Sequence, residues 1–307
     1  MMHAMAAPWH AALPPLRGRV IADAPLAAGT WFRVGGPAEL LVRPADIEDL
    51  VTCLSAASPE WPVTILGAAS NIIIRDGGIP GLVVKLGRGF STIGIEPDGI
   101  IAGAAALDST IAEHAAMAGL GGLEFLSGIP GSLGGAIAMN AGAYGSDIRS
   151  VLDWAEIIGP DGTLARYSAG ELGLDYRHAR LPPGGIVVRA RLRATPDDQT
   201  VVIARMNAIK AQREATQPVR ARTGGSTFRN PIDHKAWQLI DQAGCRGMVH
   251  GDAQVSEKHC NFLINRGNAS AADLEALGEA VRLRVQATFG VELTWEIKRI
   301  GVPGGAK

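Results

Sequence analysis

The chain of 307 residues carries 29 Lys+Arg against 30 Asp+Glu, a net charge of -1, with 47% hydrophobic and 19% charged residues and 39 glycines. That length suits two domains of ordinary size. The apolar content excludes a disordered chain, the absence of a G-X-Y period excludes collagen, and the balanced charge argues against a broad nucleic-acid or membrane surface. Average usage of about 7% would give ~21 glycines, so the excess must serve folded backbone.

Cys53, Cys245 and Cys260 are odd in number and form no CxxC pair, which indicates neither a disulfide framework nor a zinc site and fits a reducing cytosol. The N-terminal segment has no basic region followed by an apolar run, so it does not read as a secretory signal. Residues 1–23 read as a flexible extension. The most apolar stretch, 115–146, is broken by nine glycines, Pro130 and Asn140, a poor pattern for a membrane helix.

In chain order, the first helix is predicted after Asp46. Strand-like runs follow at 63–66, 72–75, 82–86 and 100–104, separated by turn signals such as Asp76-Gly77-Gly78 and Pro97-Asp98-Gly99. A second helix is predicted from Thr110, with Glu113 at capping-box spacing, to Gly119. After the glycine-rich region come strands at 154–158 and 186–193, with the turn Pro160-Asp161-Gly162 between them. A domain boundary is placed near Pro196-Asp197-Asp198. The last third is helical at 200–216 and 235–243, and again from Ser270, with Asp273 at the capping-box position, to Gly290. Residues 291–300 alternate apolar and polar, the period of a half-buried strand.

Two glycine-bearing segments stand out. Gly67-Ala68-Ala69-Ser70-Asn71 joins two strand-like runs; it reads either as an ordinary hairpin or as a turn whose N–H groups approach an anion. Gly128-Ile129-Pro130-Gly131-Ser132-Leu133-Gly134-Gly135 spaces its glycines by three and leads into a short helix expected over 136–140, whose N-terminus suits a phosphate. Asn140-Ala141-Gly142-Ala143-Tyr144-Gly145 follows directly. A purely structural crossover stays open for this region. Neither GxGxxG, nor a Walker GxxxxGK[ST], nor a GxSxG elbow is present. Gly224-Gly225-Ser226 puts a serine behind two glycines, Tyr176-Arg177-His178 is a basic loop cluster, and pattern alone reads Glu296 as a solvated face. His250 and His259 carry no metal signal. These residues alone describe an α+β protein with a phosphate-bearing ligand and no assigned reaction.

Across six blocks in order, the chain resembles the UDP-N-acetylenolpyruvoylglucosamine reductases, flavoenzymes of bacterial cell-wall precursor synthesis. The blocks are Thr30-Trp31-Phe32-Arg33-Val34-Gly35-Gly36-Pro37-Ala38, Leu66 to Asn71, Gly122 to Ile148, Tyr176-Arg177, Gly225-Ser226 to Pro231, and Gly251 to His259. The resemblance implies a PCMH/vanillyl-alcohol-oxidase-type FAD domain of two α+β lobes (about 24–60 and 61–196), followed by an α+β substrate domain over 197–307. It further implies an NADPH-dependent reduction of UDP-N-acetylglucosamine enolpyruvate to UDP-N-acetylmuramate in the cytoplasm, with hydride from flavin N5 to the enolpyruvyl β-carbon and a proton from Ser226 to the α-carbon. No nucleic acid, membrane or obligate protein partner is expected.

By motif position, Arg177, Ser226 and Glu296 are the implied catalytic residues. Arg177 would stabilise charge on the substrate carboxylate, and Glu296 could bond that carboxylate only if protonated or through water. Implied flavin contacts are Leu66, Gly67, Ala68, Ser70, Asn71 and Ile72 in the first segment. In the second they are Gly128, Ile129, Gly131, Ser132, Gly134, Gly135 and Asn140, with a bulky residue at Gly131 or Gly134 expected to expel flavin before it unfolds the chain. Tyr176, Asn230 and Lys258 are implied substrate contacts. The sequence departs from the family at Ala69, where glycine is usual, and at His178-Ala179-Arg180 after the arginine. No tyrosine follows Tyr176, so the tyrosine loop of the longer subclass is absent and the shorter subclass is implied. Two other readings stay open: a different FAD-dependent oxidase or dehydrogenase, and a non-catalytic sugar-nucleotide-binding protein.

Overall fold

The computed structural model describes residues 13–57 and 60–305; the extension expected over 1–23 lies outside these for its first twelve residues. The described chain is α+β, with helices α1 (Ile47–Ala56), α2 (Asp108–Met117), α3 (Leu133–Ala138), α4 (Ile148–Val151), α5 (Gln199–Thr216), α6 (Ala236–Gln242) and α7 (Ala271–Phe289). It divides into two compact units. The first holds 39–67 and 81–199 together with the chain up to Ala24; the second holds 25–38, 68–80 and everything from Thr200 onward. The chain therefore passes between units several times.

In the first unit, a five-stranded antiparallel sheet runs in the order Leu164–Ser168, Leu152–Ile158, Ile186–Arg193, Gly99–Gly103, Ile93–Glu96. Glu156, buried in its second strand, bonds Arg166 at 2.8 Å and Arg189 at 2.7 Å on the two flanking strands. Burial opposes its ionisation, but the two guanidinium partners outweigh it and hold its carboxyl below the usual range. A four-stranded sheet, ordered Arg19–Pro25, Pro37–Arg43, Ile79–Lys85, Val63–Leu66, packs apolar residues such as Leu40, Val42 and Leu82 with Leu50 and Leu54 of α1. Residues 19–23 are thus an edge strand and not a flexible extension. Their side chains are exposed throughout, so no alternation of burial marks them in the sequence.

Helix α1 starts as expected, with the Asp46 carboxylate accepting from the Asp49 N–H at 3.1 Å. Helix α2 does not start at Thr110. It begins two residues earlier, after Leu107, because an antiparallel bridge between Leu107 and Ser132 and a bond from the Asp108 N–H to the Gly131 oxygen (3.2 Å) hold its entry. Its end at Gly119, φ +65°, is as predicted.

The second unit buries Phe32, Val34, Ile73, Phe228 and the inner face of α7 (Leu274, Leu277, Val281, Val285) in one core. Ile72–Ile74 pairs in parallel with Lys298–Ile300, whereas Val63–Leu66 pairs in parallel with Ile79–Lys85. The segment 67–71 is consequently a crossover between two sheets, and the hairpin reading is excluded. Helix α7 has the expected capping box between Ser270 and Asp273 and a left-handed Gly290 at its end. The turn at 76–78 adds a second cap, with the Asp76 carboxylate accepting from the Ala271 and Ala272 N–H groups at 2.9 and 3.0 Å. Leu293 and Ile297 are inside as the alternation predicts, but Glu296 is half-buried like Trp295 instead of facing solvent, because its backbone bonds Thr227 and Asn71, and regular strand is confined to Lys298–Ile300. Among the described residues no helix is long and apolar enough to cross a membrane, and no cluster suits a metal ion.

Candidate active site

In the first unit Gly67, which opens the first glycine segment, meets Ser132 of the second, while Ala68 to Asn71 belong to the second unit. A Cβ placed on Gly67 would stand 2.9 Å from the Ser132 hydroxyl, which is buried and has no hydrogen-bond partner. Leu66, the last residue of its strand, is buried beneath the turn, while Gly67 is exposed. Helix α3 starts at Leu133, three residues before its predicted position, and the N–H groups of Leu133 and Gly134 bond the Ala106 and Ala104 oxygens at 3.0 and 2.9 Å. Those two donors belong to the fold and not to a ligand.

The glycines separate accordingly. Gly134 packs against Ala104, whose Cβ would be 3.0 Å from an added Cβ. Gly135 is exposed, and only the Ser132 hydroxyl lies within 4.0 Å of an added Cβ there. Gly128 ends a buried 3₁₀ turn, with half-buried Ile129 and Gly131 after it.

Asn140 is 2% exposed and sits at φ +44°. Its side-chain oxygen accepts from the Arg149 N–H at 2.8 Å, and its amide donates to the Asp147 carboxylate and the Asp175 oxygen at 3.1 and 3.0 Å. Both amide hydrogens and one lone pair of its oxygen are thus engaged within the protein. What it does is tie the loop 142–149 to the tight turn Asp175–His178.

Tyr176 and Arg177 are the central residues of that turn, closed by reciprocal bonds between Asp175 and His178. Arg177 lies at φ +54°, its Nη2 donates to the Gly142 oxygen at 3.1 Å, and its guanidinium carbon is 5.3 Å from the Tyr176 ring centre. Tyr176 is 52% exposed, so the turn presents a ring and a fixed cation side by side. A left-handed arginine at this turn position is strained backbone of the sort found at functional sites.

In the second unit, residues 226–229 run between two extended segments. On one side Ser226 bridges Phe262, and the Thr227 N–H bonds the Asn261 oxygen at 2.7 Å. On the other, Phe228 bridges Trp295, the Glu296 N–H bonds the Thr227 oxygen at 2.8 Å, and the Arg229 N–H bonds the Thr294 oxygen at 2.9 Å. Ser226 and Glu296 are both half-buried, so two residues 70 positions apart in sequence are brought to adjacent, bridged segments outside any regular strand. Asn71 lies against the Glu296 segment, its side-chain amide donating to the Glu296 backbone oxygen at 3.4 Å and its backbone oxygen accepting from the Lys298 N–H at 3.1 Å.

Gly224 is required beneath this segment because Phe32 fills the space, its Cε2 2.3 Å from where a Cβ would be. Gly225, at φ +81°, has nothing near it. Ala68, Ser70 and Ile72 belong to this unit too, and the Ala69 oxygen accepts from the Trp31 N–H at 3.2 Å.

The implied substrate contacts have structural partners already. The Asn230 side-chain oxygen accepts from the Ala236 N–H at 3.0 Å at the start of α6, and the exposed Lys258 donates its ammonium to the Glu214 oxygen near the end of α5. Asn261 escaped the sequence reading. Its only trace there is a polar residue set between apolar Cys260 and Phe262.

A family model for an FAD binding domain matches residues 38–168, and one for the C-terminal domain of UDP-N-acetylenolpyruvoylglucosamine reductase matches 217–300. The UDP-N-acetylenolpyruvoylglucosamine reductase of Acidiphilium cryptum is 70% identical over 97% of this chain and 98% of that protein, and that of Granulibacter bethesdensis 68% identical over 94% and 93%. The crystal structure of the enzyme from Thermus caldophilus, 35% identical, superposes with a TM-score of 0.80 over 93% of this chain and 99% of that one. With two domain models in family order and near-complete relatives at this identity, the chain belongs to the UDP-N-acetylenolpyruvoylglucosamine reductase family.

Proposed function

We propose that the chain carries out the NADPH-dependent, FAD-mediated reduction of UDP-N-acetylglucosamine enolpyruvate to UDP-N-acetylmuramate, a cytoplasmic step of peptidoglycan precursor synthesis. What carries this reading is the 70% identity to a reductase of that name over nearly the whole of both chains. The residues fit the cofactor: an exposed Gly67, an open Gly135 and the buried, unpartnered Ser132 hydroxyl lie together, which suits a diphosphate approaching bare backbone with one hydroxyl left to donate. When bound, FAD recharged by NADPH supplies the hydride.

The chain's own residues do the rest. Arg177, held by the Gly142 oxygen, offers a permanent planar cation to the charge that gathers on the substrate carboxylate. Ser226 delivers the proton to the α-carbon, and Glu296, on the adjoining segment, assists at that carboxylate through a proton or a water. Tyr176 lies against the substrate beside Arg177, with Asn230 and Lys258 serving the diphosphate.

Stopped-flow absorbance of the flavin tests the assignment. Ser226→Ala should be bleached by NADPH at the normal rate and lose about 10²–10⁴-fold in reoxidation by the enolpyruvyl substrate; normal reoxidation removes Ser226 from the role. Arg177→Lys should be nearly as slow, since a point charge cannot replace the fork.

A further inference from the structure

We infer that the side-chain amide of Asn261 is a positioning residue for the Ser226 hydroxyl, resting on the reading of Ser226 as proton donor. Asn261 is 4% exposed, and its amide grips the main chain of one residue on both sides of its Cα: its oxygen accepts from the Phe228 N–H at 3.0 Å and its nitrogen donates to the Phe228 oxygen at 2.8 Å. Its backbone oxygen takes the Thr227 N–H at 2.7 Å, and the adjoining Phe262 bridges Ser226. These contacts from two consecutive residues therefore define the backbone of 226–228.

No regular strand pairs with this segment; its partners outside 261–262 are the irregular residues 294–297. The amide thus acts as a replacement for a missing ladder. Behind it, the His259 Nδ1 accepts from the Asn261 N–H at 3.3 Å, and the His259 ring sits edge-on to Phe262 with centroids 4.7 Å apart. Asn261 is in this way fixed from its far side before it fixes Ser226. A hydroxyl that must meet one carbon of a bound substrate needs such a support, because a displacement of about 1 Å costs on the order of 10²-fold in rate.

Asn261→Asp keeps an acceptor for the Phe228 N–H and removes the donor to its oxygen; Asn261→Ser removes both. The holoenzyme of each variant is followed through the two half-reactions. The expected result is unchanged bleaching by NADPH, reoxidation by substrate slowed about 10- to 100-fold, a larger fall in kcat than rise in KM, and a larger D₂O solvent isotope effect on reoxidation. Adding Ser226→Ala to either variant should slow reoxidation no further than Ser226→Ala alone, as for residues acting in one unit.

Normal reoxidation in Asn261→Asp and Asn261→Ser, or losses that multiply with that of Ser226→Ala, overturns the positioning role while leaving Ser226 in place. Normal reoxidation in Ser226→Ala alone overturns the reading on which it rests. If neither Asn261 variant retains yellow flavin, the amide supports the fold and not the hydroxyl, and the inference fails.

Discussion

Ala69, Asn140 and Arg177 all lie at positive φ, at +54°, +44° and +54°. Asparagine tolerates this conformation, but for alanine and arginine it costs about 1–2 kcal/mol each. Where the family usually has glycine, this chain carries a methyl group in a left-handed, buried position. Ala69→Gly should therefore stabilise the protein by about 0.5–1 kcal/mol, the relieved strain outweighing the extra entropy a glycine loses on folding. Urea unfolding would measure it, and a destabilised variant would show that the methyl packs better than the backbone strains. The identity of residue 69 was legible in the sequence. Its φ was not, because that follows from the crossover between two sheets.

At the scale of elements, capping was the most readable signal. The Ser270 to Asp273 box and the terminal Gly290 mark α7 as predicted, and Ser270→Ala should cost about 1 kcal/mol in unfolding free energy. A loss near zero would mean that the Asp76 carboxylate, from a turn 195 residues earlier, suffices as cap. At α2 the same rule misplaced the start, because tertiary bonds to Gly131 and Ser132 override a local hydroxyl.

The glycine-rich region divides by packing. Gly134→Leu should lower the melting temperature, since it drives a side chain into Ala104, so at this position folding is expected to suffer together with flavin retention. Gly135→Leu should leave the melting temperature of the flavin-free protein nearly unchanged and abolish flavin retention. A yellow Gly135→Leu protein would remove that glycine from the cofactor site. Sequence spacing could not distinguish two adjacent glycines that face opposite surroundings.

On the scale of the whole molecule, stability depends on a buried acid. Asp108 is fully buried on the same face of α2 as Ile111, Ala112 and Ala115, and neither carboxylate oxygen has a hydrogen-bond partner. Burial pushes its pKa up from 3.8 to about 8. A raised folded-state value means that its contribution is fully present below the unfolded pKa, near 4, and is lost as pH rises to about 8, because only the unfolded chain ionises freely over that range. The stability difference between Asp108→Asn and the unsubstituted protein should grow in the variant's favour from pH 4 to pH 8 and stay level above. A difference independent of pH would place the carboxyl in contact with solvent.

By itself the sequence determined which local elements form, since caps, turns and periodicity act within a few residues. The order of its motifs also determined the family. Only the tertiary structure decided that residues 25–38 and 68–80 join the C-terminal unit, that the Ser226 and Asn71 segments both pack against the Glu296 segment, and that Asn261 grips Phe228. Such pairings depend on which strands close long loops together, and nothing within either partner's own neighbourhood encodes that choice.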